Sequence, residues 1–215
     1  MVQVLKPAVR ARIQDAALRC FATHGYPGTS MAAVAAAADT ASANLYRYYA
    51  SKQELFNAVI PQDLADRHDT LLDTRVAALT QEAPNAQAAA DELLGFWLDH
   101  RLAMVVLLDR ADGTPFAHYP AAFVQRLVMH AEQALNGRAS PAQHEILQLV
   151  FDNTRRAIAR ILATGTDREE TAALITAFWS YQVPGLNGLM AFINSDLRAG
   201  SASSGADLVD VGEGD

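Results

Sequence analysis

Apolar residues recur at spacings of three and four along nearly the whole 215-residue chain, and two-residue alternation is almost absent. The pattern predicts an all-α protein of about nine helices. Glycine, proline and asparagine clusters divide it. Gly25-Tyr26-Pro27-Gly28 ends the first helix, and Ala83-Pro84-Asn85 ends a long one beginning near Ser51. Asp112-Gly113-Thr114-Pro115 closes the next, followed by breaks at Asn136-Gly137 and Gly165-Thr166-Asp167. Residues 141–164 and 168–197 read as two long helices joined by a short turn, with Asp167 as N-cap of the second. Pro184-Gly185 should kink or interrupt that last helix. From Ala199 onward the chain is Gly, Ser and Asp with little to bury, which predicts a solvated tail over 199–215.

The first sixty residues carry the most specific local pattern. Ile13, Ala16, Ala17, Cys20 and Phe21 form one apolar helical face. Gly25 suits a left-handed C-cap, over which Tyr26 can pack back. Thr29 or Ser30 can cap a second helix whose Met31, Val34, Ala35 and Ala38 are small enough for close packing. Asp39-Thr40 forms a turn, since Asp tolerates the left-handed region. A third helix then begins near Ala41 or Ser42. Leu45 and Tyr49 are expected to face inward, leaving Ser42, Ala43, Asn44, Arg47 and Tyr48 to project outward. An outward face with an amide, a guanidinium and an aromatic, but almost no Glu or Lys, suits base edges and sugar-phosphate. Arg grips guanine O6/N7 and Asn grips adenine N6/N7, each in bidentate fashion. Ser51 caps a fourth helix and sets Lys52 at its start, where it fits a phosphate clamp.

A sequence pI near 5.3 and net charge of −7 argue against nucleic acid until the charge is located. Residues 1–60 hold six Lys/Arg against three acids, a net +3, while the remainder holds 11 against 21, a net −10. The N-terminal part is therefore suited to phosphate and the acidic body is not. The single cysteine, Cys20, excludes an intramolecular disulfide and argues for a reducing compartment. Lys6, Pro7, Arg10 and Arg12 interrupt any signal-peptide core, and no apolar run approaches a membrane-spanning length. The expectation is a cytoplasmic protein with no membrane partner.

These residues resemble the DNA-binding domain of the tetracycline-repressor (TetR) family of bacterial transcription regulators. The resemblance rests on A-A-L-R-C-F with G-Y, then T-S-M-A-A-V-A, then L-Y-R-Y-Y-A-S-K-Q-E-L, and covers roughly residues 10–60. It implies that Ser42, Ala43, Asn44, Arg47 and Tyr48 meet DNA, that Tyr46 and Lys52 touch phosphate, and that Thr29 and Ser30 open the second helix. Asp39-Thr40 stands where the family usually has Gly-Val, and Ala43-Asn44 where it often has Gly-Thr. Both departures bear on the operator sequence.

The resemblance also implies the organisation of the rest: a helix-turn-helix domain over 8–52, then a helical-bundle ligand-binding and dimerisation domain over 53–198. Its partners would be a double-stranded DNA operator, a small-molecule effector and a second copy of the chain, paired through the last two long helices. Candidate ligand-binding residues are the large side chains Phe96, Trp97, Met104, Phe116, Tyr119, Phe123, Phe178 and Tyr181, with Leu102 and Met129 beside them. His100, Arg101, His118 and His130 are candidate polar fixtures. No nucleophile elbow, phosphate loop, dinucleotide fingerprint or metal-ligand spacing is present, so no enzyme, cofactor or metal is expected. The expected function is a ligand-responsive regulator, a repressor released from a palindromic operator. The alternative is a helical small-molecule-binding protein that no longer binds DNA.

Overall fold

The computed structural model describes residues 6–80 and 84–206, and the described residues form ten helices. They are α1 (Pro7–Gly28), α2 (Met31–Ala37), α3 (Ser42–Tyr48), α4 (Lys52–Val59), α5 (Gln62–Thr80), α6 (Ala86–Asp99), α7 (Arg101–Asp109), α8 (Tyr119–Ala134), α9 (Pro141–Thr164) and α10 (Arg168–Ala206). The all-α expectation holds. Among the described residues no helix is long and apolar enough to cross a membrane.

Two expected helices, the one beginning near Ser51 and the one closed by Asp112-Gly113, are each divided. Ile60 stands before Pro61, whose ring disfavours helical geometry at the preceding residue, and Ile60 is non-helical (φ −132°, ψ 77°). The helix from Ser51 is therefore α4 followed by α5. At His100 the backbone leaves the helical region (φ −112°, ψ 27°), separating α6 from α7. The proline in α10 does not interrupt it: the helix runs continuously through Pro184. The carbonyl that loses its donor belongs to Ser180, which is exposed to water. α10 also passes the predicted start of the tail and reaches Ala206, because extending a formed helix costs far less than nucleating one. The predicted tail's residues 207–215, like Ala83 in the predicted break, lie outside the described residues.

Helices α1 to α4 form a head around Ile13, Ala16, Ala17, Phe21, Val34, Leu45, Leu55 and Phe56, all buried. Alanines at the α1–α2 contact let the two axes approach closely. The head rests on the body through an aromatic cluster. Phe56 packs edge-on against Phe21 (5.4 Å) and Tyr26 (5.3 Å) and reaches Phe116 of the body (6.3 Å). Arg110 Nη1 adds a hydrogen bond to the Thr23 carbonyl (3.0 Å). In the body, α7 is buried along nearly all its length, packed between α1 and α9. Arg155 of α9 is itself buried and ties α9 to the end of α7, donating to the Leu108 carbonyl.

Candidate nucleic-acid interface and effector cavity

Local chemistry sets the tilt of α3. Gly25 takes φ 68°, a conformation that carries the chain out of the first helix at little cost only for glycine. Ser30 Oγ then accepts from the Ala33 N–H (3.1 Å), capping α2. Asp39 adopts φ 49° at the turn, and Arg12 Nη2 reaches its carbonyl (3.4 Å), fixing the turn to α1. Ser51 caps α4 in the same manner, accepting from the Glu54 N–H (3.1 Å).

Leu45 and Tyr49 are buried, as the spacing predicts. Ser42, Ala43, Tyr46 and Arg47 are exposed, with Tyr46 at 52%. Asn44 is half-buried and donates one amide hydrogen to Thr40 Oγ1 (2.8 Å), keeping its other hydrogen and its carbonyl for a partner. Tyr48 departs from expectation. It is only 8% exposed, and its hydroxyl accepts from the Lys6 backbone N–H (3.1 Å). The physical reason is helical spacing: 45, 48 and 49 are related by three and four residues and share one face.

Two further candidates are held inside the head. Thr29 is buried and donates to the Gly25 carbonyl (2.7 Å) across the α1–α2 link. Lys52 Nζ donates to the carbonyls of Tyr26 (2.7 Å) and Thr29 (2.9 Å) and lies 4.2 Å from the Tyr26 ring centroid. An ammonium has three donors, so one remains for an outside acceptor. The lysine thus staples the α1–α2 link while presenting its charge at the surface.

The body contains a cavity of about 140 Å³ between α5, α6, α8, α9 and α10. Its apolar wall includes Leu72, Trp97, Phe123, Phe151, Ile158 and Trp179, and its polar fixtures are Arg75, Thr154, Gln182 and Asn187. Of the eight ligand-binding candidates, Trp97 and Phe123 line it and the others do not. Met104 and Phe116 are ordinary core, and Phe96 and Phe178 pack on the core's edge. Tyr181 is 75% exposed on α10. Tyr119 is bonded into a polar cluster between α5 and α8. Of the histidine and arginine candidates, Arg101 Nη1 caps the end of α9 at the Leu162 carbonyl (2.6 Å), and His130 joins the polar cluster. The signal for Arg75 was present in the sequence: a guanidinium among Leu72, Val76 and Leu79 interrupts an otherwise apolar helical face.

The polar cluster fastens α5 to α8. Arg126 donates to Asp69 Oδ2 (2.7 Å) and Asp73 Oδ2 (2.6 Å), and His130 Nε2 lies 3.1 Å from Asp73 Oδ1. The Tyr119 hydroxyl donates to Asp69 Oδ1 (2.6 Å), so the 2.7 Å contact with His68 must use an N–H at Nδ1. His68 Nε2 is left as a buried lone pair with no partner among the described residues. Burial lowers the His68 pKa, outweighing the opposing pull of the Asp69 carboxylate 3.7 Å away. Burial works to raise that of Asp69, but the neighbouring His68, the hydrogen bond from Tyr119 and the Arg126 charge hold the carboxyl below its usual range.

A pH prediction follows from His68. In the unfolded chain the imidazole protonates below about pH 6.5, while the folded chain resists the proton. Stability is therefore unaffected above that value and falls as pH drops below it, by up to about 1.4 kcal/mol per pH unit. Asp69 and Asp152, whose pKa values are depressed, lose their contribution only in the lower carboxylate range. Melting curves between about pH 4.5 and 6.5 should be steeper for wild type than for His68→Asn. Parallel curves would show that His68 titrates as it does in water.

An exposed short helix, set at a fixed angle by a compact head on an all-helical body, defines a helix-turn-helix DNA-binding regulator. Residues 13–59 match the family model described as bacterial regulatory proteins, tetR family. The chain is similar over 86% of its length to the whole of a TetR-like transcriptional regulator from Rhodococcus sp. RHA1, at 26% identity and a TM-score of 0.53. A more distant likeness, at 16% identity and a TM-score of 0.42, is to a TetR-family transcriptional regulator from Streptomyces coelicolor, covering 91% of this chain and 90% of that one. No curated protein matches the chain. The head therefore matches the TetR family's DNA-binding model, and the whole chain is similar in fold to a TetR-like regulator.

Proposed function

We propose that the chain is an effector-released repressor that binds a palindromic operator as a homodimer, acting in the cytoplasm and catalysing no reaction. The observation that carries this reading is the exposed face of α3, where Ser42, Ala43, Asn44, Tyr46 and Arg47 stand together on a seven-residue helix. Arg47 and Asn44 read bases; Tyr46 and the remaining donor of Lys52 meet phosphate; Ser30 holds α2 against the backbone. Tyr48 and Thr29 support the interface from inside the head.

The effector site is the body cavity. α5 contributes Leu72, Arg75, Val76 and Leu79 to its wall and joins α4 through the non-helical Ile60-Pro61 link. A ligand that favours one position of α5 shifts the head by its difference in affinity between the two arrangements. Dimerisation uses α9 and α10. Leu174, Phe178, Tyr181, Gly185, Gly188 and Phe192 follow one another at steps of four and three, the spacing of a bundle seam. Leu174, Tyr181 and Phe192 are exposed, as are Ile146 and Leu149 on α9. The two glycines leave open space for a partner helix. The two recognition helices of the dimer would enter successive major grooves about 34–36 Å apart.

Retardation of genomic fragments tests the reading, with Arg47→Ala as the sharper probe. That change should cost about 1–3 kcal/mol on the selected operator and relax one base preference. Lys52→Ala should weaken all DNA alike, lower the salt slope by about one, and also lower the melting temperature through loss of the two carbonyl bonds. A protein that retards no fragment at any salt would instead be a helical small-molecule-binding protein.

A further inference from the structure

We infer that the cavity takes a small apolar carboxylate, one ring or a chain of similar bulk, with its anionic head on Arg75. The inference rests on the cavity being the effector site and adds the ligand's chemical class.

The walls set the body of the ligand. Trp97, Phe123, Phe151 and Trp179 converge on the space with aliphatic neighbours, and the two indoles stand 5.6 Å apart between centroids. Such walls favour a flat or flexible apolar group and oppose a heavily hydrated one. The volume of about 140 Å³ matches an interior cavity that accommodates one benzene ring.

Arg75 sets the head group. Among the described residues it is the one ionisable side chain of the lining. Its Nη1 donates to the Ala86 carbonyl (2.8 Å) and its Cζ lies 5.6 Å from the Trp179 ring centroid. Among the described residues no carboxylate is in ion-pair contact with it; Asp91 acts on it only at longer range. A guanidinium cannot shed its proton and has five donors, of which the carbonyl takes one. A half-buried cation with four donors to place is matched by a planar anion that accepts two of them side by side. Trp97 supplies independent support. Its indole Nε1–H is buried with no partner among the described residues, although the ring lines the cavity. Thr154 and Gln182 are already bonded to each other (2.7 Å) and carry no charge. One cation and neutral neighbours fit a monoanion better than a phosphate dianion.

The chain's only two tryptophans both line this cavity, so its intrinsic emission reports on it directly. Full-length protein is titrated with benzoate and hexanoate, and with benzamide and hexanamide as neutral counterparts. The acids should quench saturably and bind at least ten-fold more tightly than the amides. Arg75→Gln should erase that preference while keeping the amide affinity, and Arg75→Lys should restore part of it. Amides binding as tightly as acids, or Arg75→Gln binding benzoate like wild type, would overturn the anion assignment and leave the cavity as an effector site. If no acid or amide perturbs the tryptophans, both the assignment and the cavity reading fail.

Discussion

Phe56→Ala is expected to lower the unfolding free energy by about 3–5 kcal/mol, and the melting temperature by roughly 6–20 °C. Phe56 is fully buried and is shared by two cores. It meets Phe21 and Tyr26 in the head and Phe116 in the body, so alanine leaves a void that neither side can close alone. The loss also bears on signalling. α4 carries both Phe56 and the link to α5, the helix that lines the cavity. Thermal unfolding with a paired assay of operator release checks both consequences. A change below about 1 kcal/mol would place the coupling between head and body elsewhere.

The second large effect concerns assembly. The double change Tyr181→Glu and Phe192→Glu should make the chain monomeric and abolish tight operator binding. Both side chains are exposed in the monomer, 75% and 67%, so the substitutions cost its fold little. In a symmetric pair each charge would meet the same apolar seam on the other copy, and its own duplicate close by. The dimer should weaken by about 3 kcal/mol, on the order of a hundred-fold. Sedimentation gives the mass, and a half-operator gives the residual affinity of one head. An unchanged sedimentation coefficient would exclude this face as the interface.

Most of the head was legible before any coordinates because its determinants lie close together in the chain. Ser30 and Ser51 cap the head helices that follow them, as Asp167 caps α10 in the body. Gly25 and Asp39 take the positive φ their turns require. Leu45 and Tyr49 point inward as their spacing demands. Tyr48 is legible too, since it stands three residues from Leu45 and one from Tyr49 on the same buried face.

What the sequence settled by itself is the helical state, the capped turns and the outward face of α3, since these depend on interactions within about four residues. Tertiary structure alone decided which large side chains bound a void. Size and hydrophobicity mark Met104, Phe116 and Trp97 alike for burial, yet only Trp97 stands at the cavity, because five helices must meet before there is a space to line. The same holds for Lys52 and Arg75. Lys52 finds its carbonyl partners 23 and 26 residues away. The setting of Arg75 depends on Trp179, more than a hundred positions distant, which only the folded chain brings beside it.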